Sequence, residues 1–396
     1  VAATPTSADV IVVGGGVIGL SCAWRLAQRR LRVVLCDPRP ASGASWAAAG
    51  MLAPITELHY GEEPLLALTL ASVRSWPAFA HDLEVATGSG IGWQSAGTLL
   101  VPFDTDDRRW AQNLHRFQLD LDMAVTWLTT RQARDLEPGL APGISGAIWA
   151  PDDHQVDNRR LLPALVGAAR AAGVEFVDAP VRQINCTAGS VTGVSLGSGA
   201  VVNAPSAVLC AGWQSRTVAG LPDSLVPPVR PVKGQIVRLA HRPGMAPVLT
   251  RTVRAVVHGS SVYLVPRAAG EVVVGATSEE LGDDQTPTAG AVYELLRDAI
   301  AVVPGLRELA VGEFSAGLRP GSPDNAPIIG AAPAGAGADG LVLATGHYRN
   351  GILLAPLTAE AVVAAVTGAD PSEVVRPFGP GRFAATGATP TPGTHR

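Results

Sequence analysis

The segment Gly14-Gly15-Gly16-Val17-Ile18-Gly19 constrains the fold of this chain more than any other. The apolar run Val10–Val13 precedes it, as in a strand buried on both faces. After it, Leu20, Ala23, Trp24 and Ala27 recur at helical spacing, which predicts a helix reaching Arg30. A second buried strand is predicted over 32–36, and Asp37 stands 18 residues beyond Gly19. Strand, glycine turn, helix, strand and acidic residue, in that order, make a dinucleotide fingerprint. Gly14 permits the tight turn, and Gly16 lets a pyrophosphate approach the backbone. Gly19 lets helix and sheet pack closely, and the helix N-terminus at Val17 and Ile18 faces the phosphates. The Asp37 carboxylate accepts from ribose hydroxyls and repels a 2′-phosphate, which argues against NADP. The fold class is α/β.

At 396 residues the chain is too long for one compact core. Helices are expected over 64–86, 104–128, 159–172 (after Asp157 as N-cap) and Ala289–Val302. Residues 91–101 read as strand and 149–157 as loop. Short strands are expected around Val174, Val181, Val191 and Val201. The strand at 208–210 ends in Ala211-Gly212, where the backbone can approach a ligand. Residues 226–275 are strand-rich, and the chain returns to a strand at 341–344, a glycine-rich turn and a helix through Ala364. Nucleotide-type βα units thus stand at the start, middle and end. That pattern predicts a discontinuous cofactor domain (8–80, 147–222 and 312–370) and a substrate domain (81–146 and 223–311). The tail 384–396 is expected to be disordered.

Composition removes several functions. Thirty basic residues against thirty-four acidic give a net charge of −4, which argues against nucleic acid or anionic lipid as partners. No apolar run approaches about 18–20 residues, so no membrane-spanning helix is expected. Residues 1–8 lack a basic n-region and a long apolar stretch, so no signal peptide is expected. Cys22, Cys36, Cys186 and Cys210 form no C-x-x-C pair and no Cys–His metal spacing, which suits reduced thiols in the cytoplasm. Asp152-Asp153-His154 has ligand-type residues but no second cluster, and reads as a loop and helix start rather than a metal site. Twenty-nine of the thirty basic residues are Arg. A GC-rich genome explains that bias, and leaves the single Lys233 in want of a role.

The fingerprint alone does not choose between NAD and FAD. The run Ser42-Gly43-Ala44-Ser45-Trp46-Ala47-Ala48-Ala49-Gly50-Met51 offers small side chains and accessible amides to a large planar cofactor, which favours FAD. Further segments point the same way: Ala211-Gly212-Trp213-Gln214-Ser215, Pro231-Val232-Lys233-Gly234-Gln235, Tyr263-Leu264-Val265-Pro266-Arg267 and Val274-Gly275-Ala276-Thr277. Gly317-Leu318-Arg319-Pro320 and Gly346-His347-Tyr348-Arg349-Asn350-Gly351-Ile352-Leu353-Leu354-Ala355-Pro356 complete the set. In these the chain resembles the D-amino-acid-oxidase superfamily of FAD-dependent amine oxidases, and within it the glycine oxidases of thiamine biosynthesis. The resemblance runs from about Asp9 to Ala364.

The resemblance implies an α/β FAD-binding domain beside a substrate domain with a large mixed β-sheet. It implies non-covalent FAD, because relatives that attach the flavin use a Cys in the C-terminal half or a His near Trp46, and here no Cys follows Cys210 and no His occurs near Trp46. Beyond the glycine loop and Asp37, it assigns to FAD the residues Ser45, Ala48, Ala49, Gly50 and Met51, and Val181 for the adenine. It adds Ala211, Gly212, Trp213, Lys233, Gly234, Gln235 and Arg319. The loop His347, Tyr348, Arg349, Asn350, Gly351, Ile352 and Leu353 would lie against the flavin pyrimidine. The helix that follows would direct its positive end at reduced flavin.

For the substrate, the resemblance makes Arg319 a carboxylate clamp, whose guanidinium fork suits bidentate binding. A structural ion pair with Asp324 is the alternative. Tyr263 would donate a second hydrogen bond to the same carboxylate. Arg349 would bind substrate or hold the flavin loop. Glu57, Met51 and Ser278 would line the pocket, with Ser278 where some glycine oxidases carry Met. His347 reads as a hydrogen-bonded loop residue. The implied reaction is oxidative deamination of glycine, and of sarcosine or small D-amino acids, by hydride transfer to flavin. O2 becomes H2O2, and the imine hydrolyses to glyoxylate or passes to a thiazole synthase. Relatives form dimers and tetramers, so a homo-oligomer is implied. Three alternatives stay open: a dehydrogenase passing electrons to a quinone or partner subunit, a non-catalytic flavin-binding subunit, and an NAD dehydrogenase, which would leave the Met51 and Gly351 segments idle.

Overall fold

Val10–Val13 forms the centre of a six-stranded sheet, and all four side chains are buried. The computed structural model describes residues 5–383, so the 384–396 expectation lies outside the described residues. The sheet runs Ile328–Ala331, Leu341–Thr345, Ser206–Leu209, Val10–Val13, Val33–Cys36, Glu175–Val177. Every pairing is parallel except that of the first edge strand. Alternation explains why the central strand is apolar throughout. Val10 and Val12 pack under the helices Val17–Gln28, Glu63–Thr87, Asn158–Ala171 and Gly351–Val366, while Ile11 and Val13 pack against a three-stranded antiparallel sheet on the other side. Each fully buried side chain of this kind contributes roughly 1.5–3 kcal/mol. Asp157 caps the Asn158–Ala171 helix by accepting from the Arg159 N–H at 3.0 Å.

The second sheet has eight strands: Ala310–Gly321, Arg230–Ala240, Glu271–Gly275, Ser260–Pro266, Thr252–Val257, Thr98–Pro102, Ala147–Ala150 and Thr126–Leu128. It is mixed, because Thr252–Val257 and Thr98–Pro102 pair in parallel while their neighbours are antiparallel. The helix Ala289–Val302 covers one face through Leu295, Ala299 and Val302.

Four local expectations need correcting. The helix expected over 104–128 is Thr105–Asp120; a turn with Asp122 at positive φ ends it, and Thr126–Leu128 becomes an edge strand. Residues 149–157 are not all loop, since Ala147–Ala150 and His154–Gln155 are strands. Of residues 91–101, only those from Thr98 belong to a strand. Ala147–Ala150 and Ala310–Gly321 both sit in the eight-stranded sheet, so the domain borders set at 147 and 312 cut through it.

The expectation about apolar length also changes. Tyr348–Val366, 19 residues at mean hydropathy 1.3, is long and apolar enough to cross a membrane. Most of it is buried, and Ile352, Leu353, Ala355, Ala359, Val362 and Val363 lie in the core under the six-stranded sheet. Apolarity on nearly every side is what a helix buried between a sheet and two other helices requires.

Candidate active site

The two sheets meet at a cavity of about 900 Å³, near the top of the roughly 300–1,000 Å³ range of small-molecule and cofactor sites. One end is the glycine turn. Gly14, Gly16, Val17 and Ile18 line it, and Gly19 lies beneath, where a Cβ would stand 1.9 Å from the Gly14 carbonyl oxygen. The Asp37 carboxylate accepts from the Gly15 N–H at 2.6 Å and the Arg39 N–H at 2.7 Å, which fixes the turn. An ionised carboxylate has about four acceptor positions, so two remain toward the cavity. The Ser45 hydroxyl accepts from the Val17 N–H at 3.0 Å, at the opening of the helix. Val181, Ala211, Gly212 and Trp213 line the same end. Cys36 and Cys210 also line it. Burial pushes the Cys36 thiol up to about 12. Cys210 is raised by its hydrogen bond with Cys22 and by burial, so neither is a nucleophile.

Strand register builds the other end. Arg319 is opposite Val232, Gly317 opposite Gly234, Ile236 opposite Gly275, Gly275 opposite Tyr263, and Tyr263 opposite Arg254. Directly opposed residues share a face. One face therefore carries Arg319, Gly317, Gly234, Ile236, Gly275, Tyr263 and Arg254, all lining the cavity except Gly275. The glycines make room. A Cβ on Gly234 would come within 2.3 Å of Arg319 Nη2, and one on Gly275 within 2.4 Å of the Tyr263 hydroxyl.

Arg319 is half-buried and donates from Nη1 to the Thr277 carbonyl at 3.0 Å. Burial pushes the Tyr263 phenol up, and the nearby positive charge of Arg319 opposes that push. Asp324 is not its partner, because Asp324 pairs with Arg382 at 2.8 Å. Among the described residues no carboxylate lies within ion-pair distance of Arg319. Arg349 is different. It pairs with Glu62, and its Nε stands 3.7 Å from Glu57 Oε2. Glu57 in turn stands 3.6 Å from Arg254 Nη1, and Arg254 donates to the Thr56 carbonyl. Glu57 and Glu62 thus pair with Arg254 and Arg349, two carboxylates with two guanidiniums, and Arg319 is the third guanidinium in the cavity wall. Met51, Ser278 and Tyr348 complete the wall, with Ser278 Oγ 3.4 Å from the Tyr348 hydroxyl. His347 lines the cavity but is buried, Nε2 3.0 Å from Thr358 Oγ1, and burial lowers it to about 3.

Ala48, Ala49, Gly50, Gly351 and Ile352 also line the cavity. Besides Gly19, which lies beneath the turn, four proposed cofactor residues do not. Lys233 and Gln235 alternate with Gly234 along the strand and so point to the opposite face. Lys233 is fully buried there, its Nζ donating to Asp284 Oδ2 at 2.5 Å and the Thr286 carbonyl at 2.6 Å. Gln235 bonds the Thr288 N–H and Glu279. Asn350 and Leu353 turn into the core, and the Leu353 carbonyl accepts from Ser72 and Trp76. The sequence reading missed Arg254, whose only trace is one charge alternating with Val253 and Ala255. It also left Asp153 without a role. That carboxylate is buried and accepts from Ile55 and Thr56, shaping the loop that carries Glu57; burial raises it to about 6. No group of three or more potential metal ligands occurs among the described residues.

Residues 9–365 match the family model described as DAO, FAD dependent oxidoreductase. The chain is 37% identical over 389 residues to the bifunctional protein ThiO/ThiG of Synechocystis, covering 96% of this chain and 55% of that one. It thus spans about half the length of the bifunctional relatives it matches. It is 33% identical to the glycine oxidase of Pseudomonas putida, covering 94% of this chain and 98% of the relative. The crystal structure of glycine oxidase from Geobacillus kaustophilus superposes with a TM-score of 0.87 at 33% identity, over 95% of this chain and 99% of that one.

Proposed function

The chain belongs to the DAO family of FAD-dependent oxidoreductases, and from that membership we propose that it oxidises glycine, sarcosine and similarly small amino acids to their imines. The observation that carries this reading is Arg319, a half-buried guanidinium in the cavity wall with no carboxylate partner among the described residues. Two carboxylates for three guanidiniums leave room for one more negative charge, which is one substrate carboxylate.

The residues present fit FAD. The glycine turn and the Ser45 hydroxyl that holds the Val17 amide would take the pyrophosphate, and Asp37 would take a ribose. The amides of Ala49 and Gly50, which donate to no acceptor among the described residues, would face the ring system. When bound, FAD would supply the two-electron acceptor: the substrate would lose a hydride from Cα and a proton from its amine, and O2 would take up two electrons and two protons to become H2O2. The chain's own residues position the substrate. Arg319 and Tyr263 hold its carboxylate, Arg254 and Arg349 fix Glu57 at the mouth, and Glu57 attracts the amine. The N-terminus of Gly351–Val366 favours negative charge at the cavity wall. In keeping with the bifunctional relatives, the imine product would serve a thiazole synthase, and otherwise hydrolyse to glyoxylate. Four free cysteines suit a reducing cytoplasm.

Oxygen uptake and peroxide release with glycine, sarcosine and D-alanine test the reading. Peroxide formed in step with amine consumption supports it. Rapid dye reduction with negligible oxygen uptake would replace it with a dehydrogenase, and a flavin that no amine reduces would replace it with a binding subunit.

A further inference from the structure

The eight-stranded sheet has a second use for the face that carries Arg319 and Tyr263. Two residues beyond Ile236 on the same face stands Arg238, and two beyond Val265 stands Arg267. Both guanidiniums are buried, with Arg267 at 7% exposure and Arg238 at 1%. Arg238 has a counter-ion, Glu271, at 2.6 Å. Arg267 has none within ion-pair distance among the described residues. It donates instead to Gln155 Oε1 at 2.9 Å, the Val156 carbonyl at 3.1 Å, Asn158 Oδ1 at 3.2 Å and the Ala49 carbonyl at 2.5 Å. Burial draws Arg267 down to about 10, which leaves it cationic at neutral pH.

These groups gather the carbonyls of one cavity-lining segment. Asn158 donates to the Ser45 and Trp46 carbonyls at 2.9 and 2.8 Å, and Arg238 to that of Ala48 at 3.4 Å. Arg267 takes that of Ala49, and the Val156 amide takes that of Gly50 at 2.8 Å. In a planar trans peptide the C=O and the next N–H point in opposite directions. With the Ala48, Ala49 and Gly50 carbonyls drawn to one side, the N–H groups of Ala49, Gly50 and Met51 are turned to the other. Ala48, Ala49, Gly50 and Met51 line the cavity, whereas Arg238 and Arg267 do not. A buried cation without a counter-ion costs several kcal/mol unless other groups compensate. Carbonyl dipoles and the more distant Asp157 and Glu271 carboxylates supply part of that compensation, and a negative charge in the cavity would add to it.

We propose that Arg267, with Arg238 beside it, is a positioning residue for the flavin: it turns the Ala49–Met51 amides toward the cofactor and stabilises the extra charge of its reduced form. This holds whichever amine is the substrate, since it concerns the cofactor alone.

The test compares Arg267→Gln, Arg267→Lys and Arg238→Gln holoenzymes. Three readouts are taken: the dissociation constant of oxidised FAD, the two-electron midpoint potential of the bound flavin, and the thermal unfolding of each apoprotein. Loss of one positive charge behind the cavity wall predicts that Arg267→Gln loses roughly tenfold in binding of reduced relative to oxidised FAD. For a two-electron couple that is a potential about 30 mV lower. Arg238→Gln should weaken the binding of oxidised FAD less than Arg267→Gln does, because Arg238 reaches the cavity-lining segment only through the Ala48 carbonyl, at 3.4 Å. A wild-type potential in Arg267→Gln, with only a lower apoprotein melting temperature, would overturn the proposal and leave Arg267 a packing residue. Should Arg267→Gln fail to fold, Arg267→Lys decides. Charge kept and fork lost predicts weaker binding of oxidised FAD at a near wild-type potential, and wild-type FAD binding would overturn the proposal.

Discussion

The Arg319 guanidinium lies across Gly234 of the neighbouring strand, so closely that a methyl group on that glycine would sit 2.3 Å from Nη2. The clashing atoms are the far end of a long side chain. Gly234→Ala should therefore displace Arg319 at little cost in stability. Charge-assisted hydrogen bonds of about 1.5–3 kcal/mol would be lost to the substrate, a roughly 10- to 100-fold rise in the KM for glycine. FAD stoichiometry and melting temperature should stay near wild type. A KM unchanged in Gly234→Ala would detach Arg319 from the substrate.

Tyr263 lies over Gly275 in the same manner, with the hydroxyl 2.4 Å from a Cβ placed there. Tyr263→Phe removes a single hydrogen bond, about 0.5–1.5 kcal/mol, and should raise KM about 2- to 10-fold. Gly275→Ala should raise it at least as much by moving the whole ring. Steady-state kinetics on the two variants checks the pair, and equal KM values in wild type and Tyr263→Phe would remove the phenol from substrate binding.

Lys233 and Asp284 tie the loop after Thr277 to the back of the sheet. Because Lys233 faces away from the cavity, Lys233→Arg should leave FAD affinity and oxygen reactivity unchanged. The larger head in a fully buried site should cost about 1–3 kcal/mol of stability. Fluorescence titration of FAD and urea unfolding measure the two effects separately. A changed FAD affinity with unchanged stability would return Lys233 to the cofactor.

His347 supplies a pH dependence. Burial lowers it to about 3, against about 6.5 in an unfolded chain, so below pH 6.5 the unfolded state binds the extra proton. Its contribution to stability is complete above pH 6.5 and is lost as pH falls toward 3. At about 1.4 kcal/mol per unit, roughly 2 kcal/mol disappears between pH 6.5 and 5. Urea unfolding at pH 7 and pH 5 should show a smaller drop in His347→Gln than in wild type by about that amount.

The dinucleotide half of the fold was legible because its signals are local. Val10–Val13, the glycine turn, the helix and Asp37 follow one another within 30 residues, and each has its own periodicity or turn chemistry. Arg319 and Tyr263 were legible as candidates because each stands in a compact motif. What was not legible depends on which face of a strand a residue takes. Lys233 looked like a cofactor residue because it adjoins Gly234, yet adjacency along a strand places side chains on opposite faces. Arg254 escaped notice because it joins Tyr263 only through the register of two strands. The strand Thr126–Leu128 was hidden because its hydrogen-bond partner lies some twenty residues further on.

The central claim is that one cavity joins bound FAD to a single-carboxylate clamp. Its most direct test is anaerobic mixing of the wild-type and Arg319→Ala holoenzymes with glycine while the flavin absorbance is followed. The wild type should bleach with a rate that saturates in glycine, and Arg319→Ala should bleach only at far higher concentrations with FAD still bound. A wild-type flavin that stays oxidised with glycine, sarcosine and D-alanine yet bleaches with dithionite would contradict the claim, as would equal glycine saturation in the two proteins.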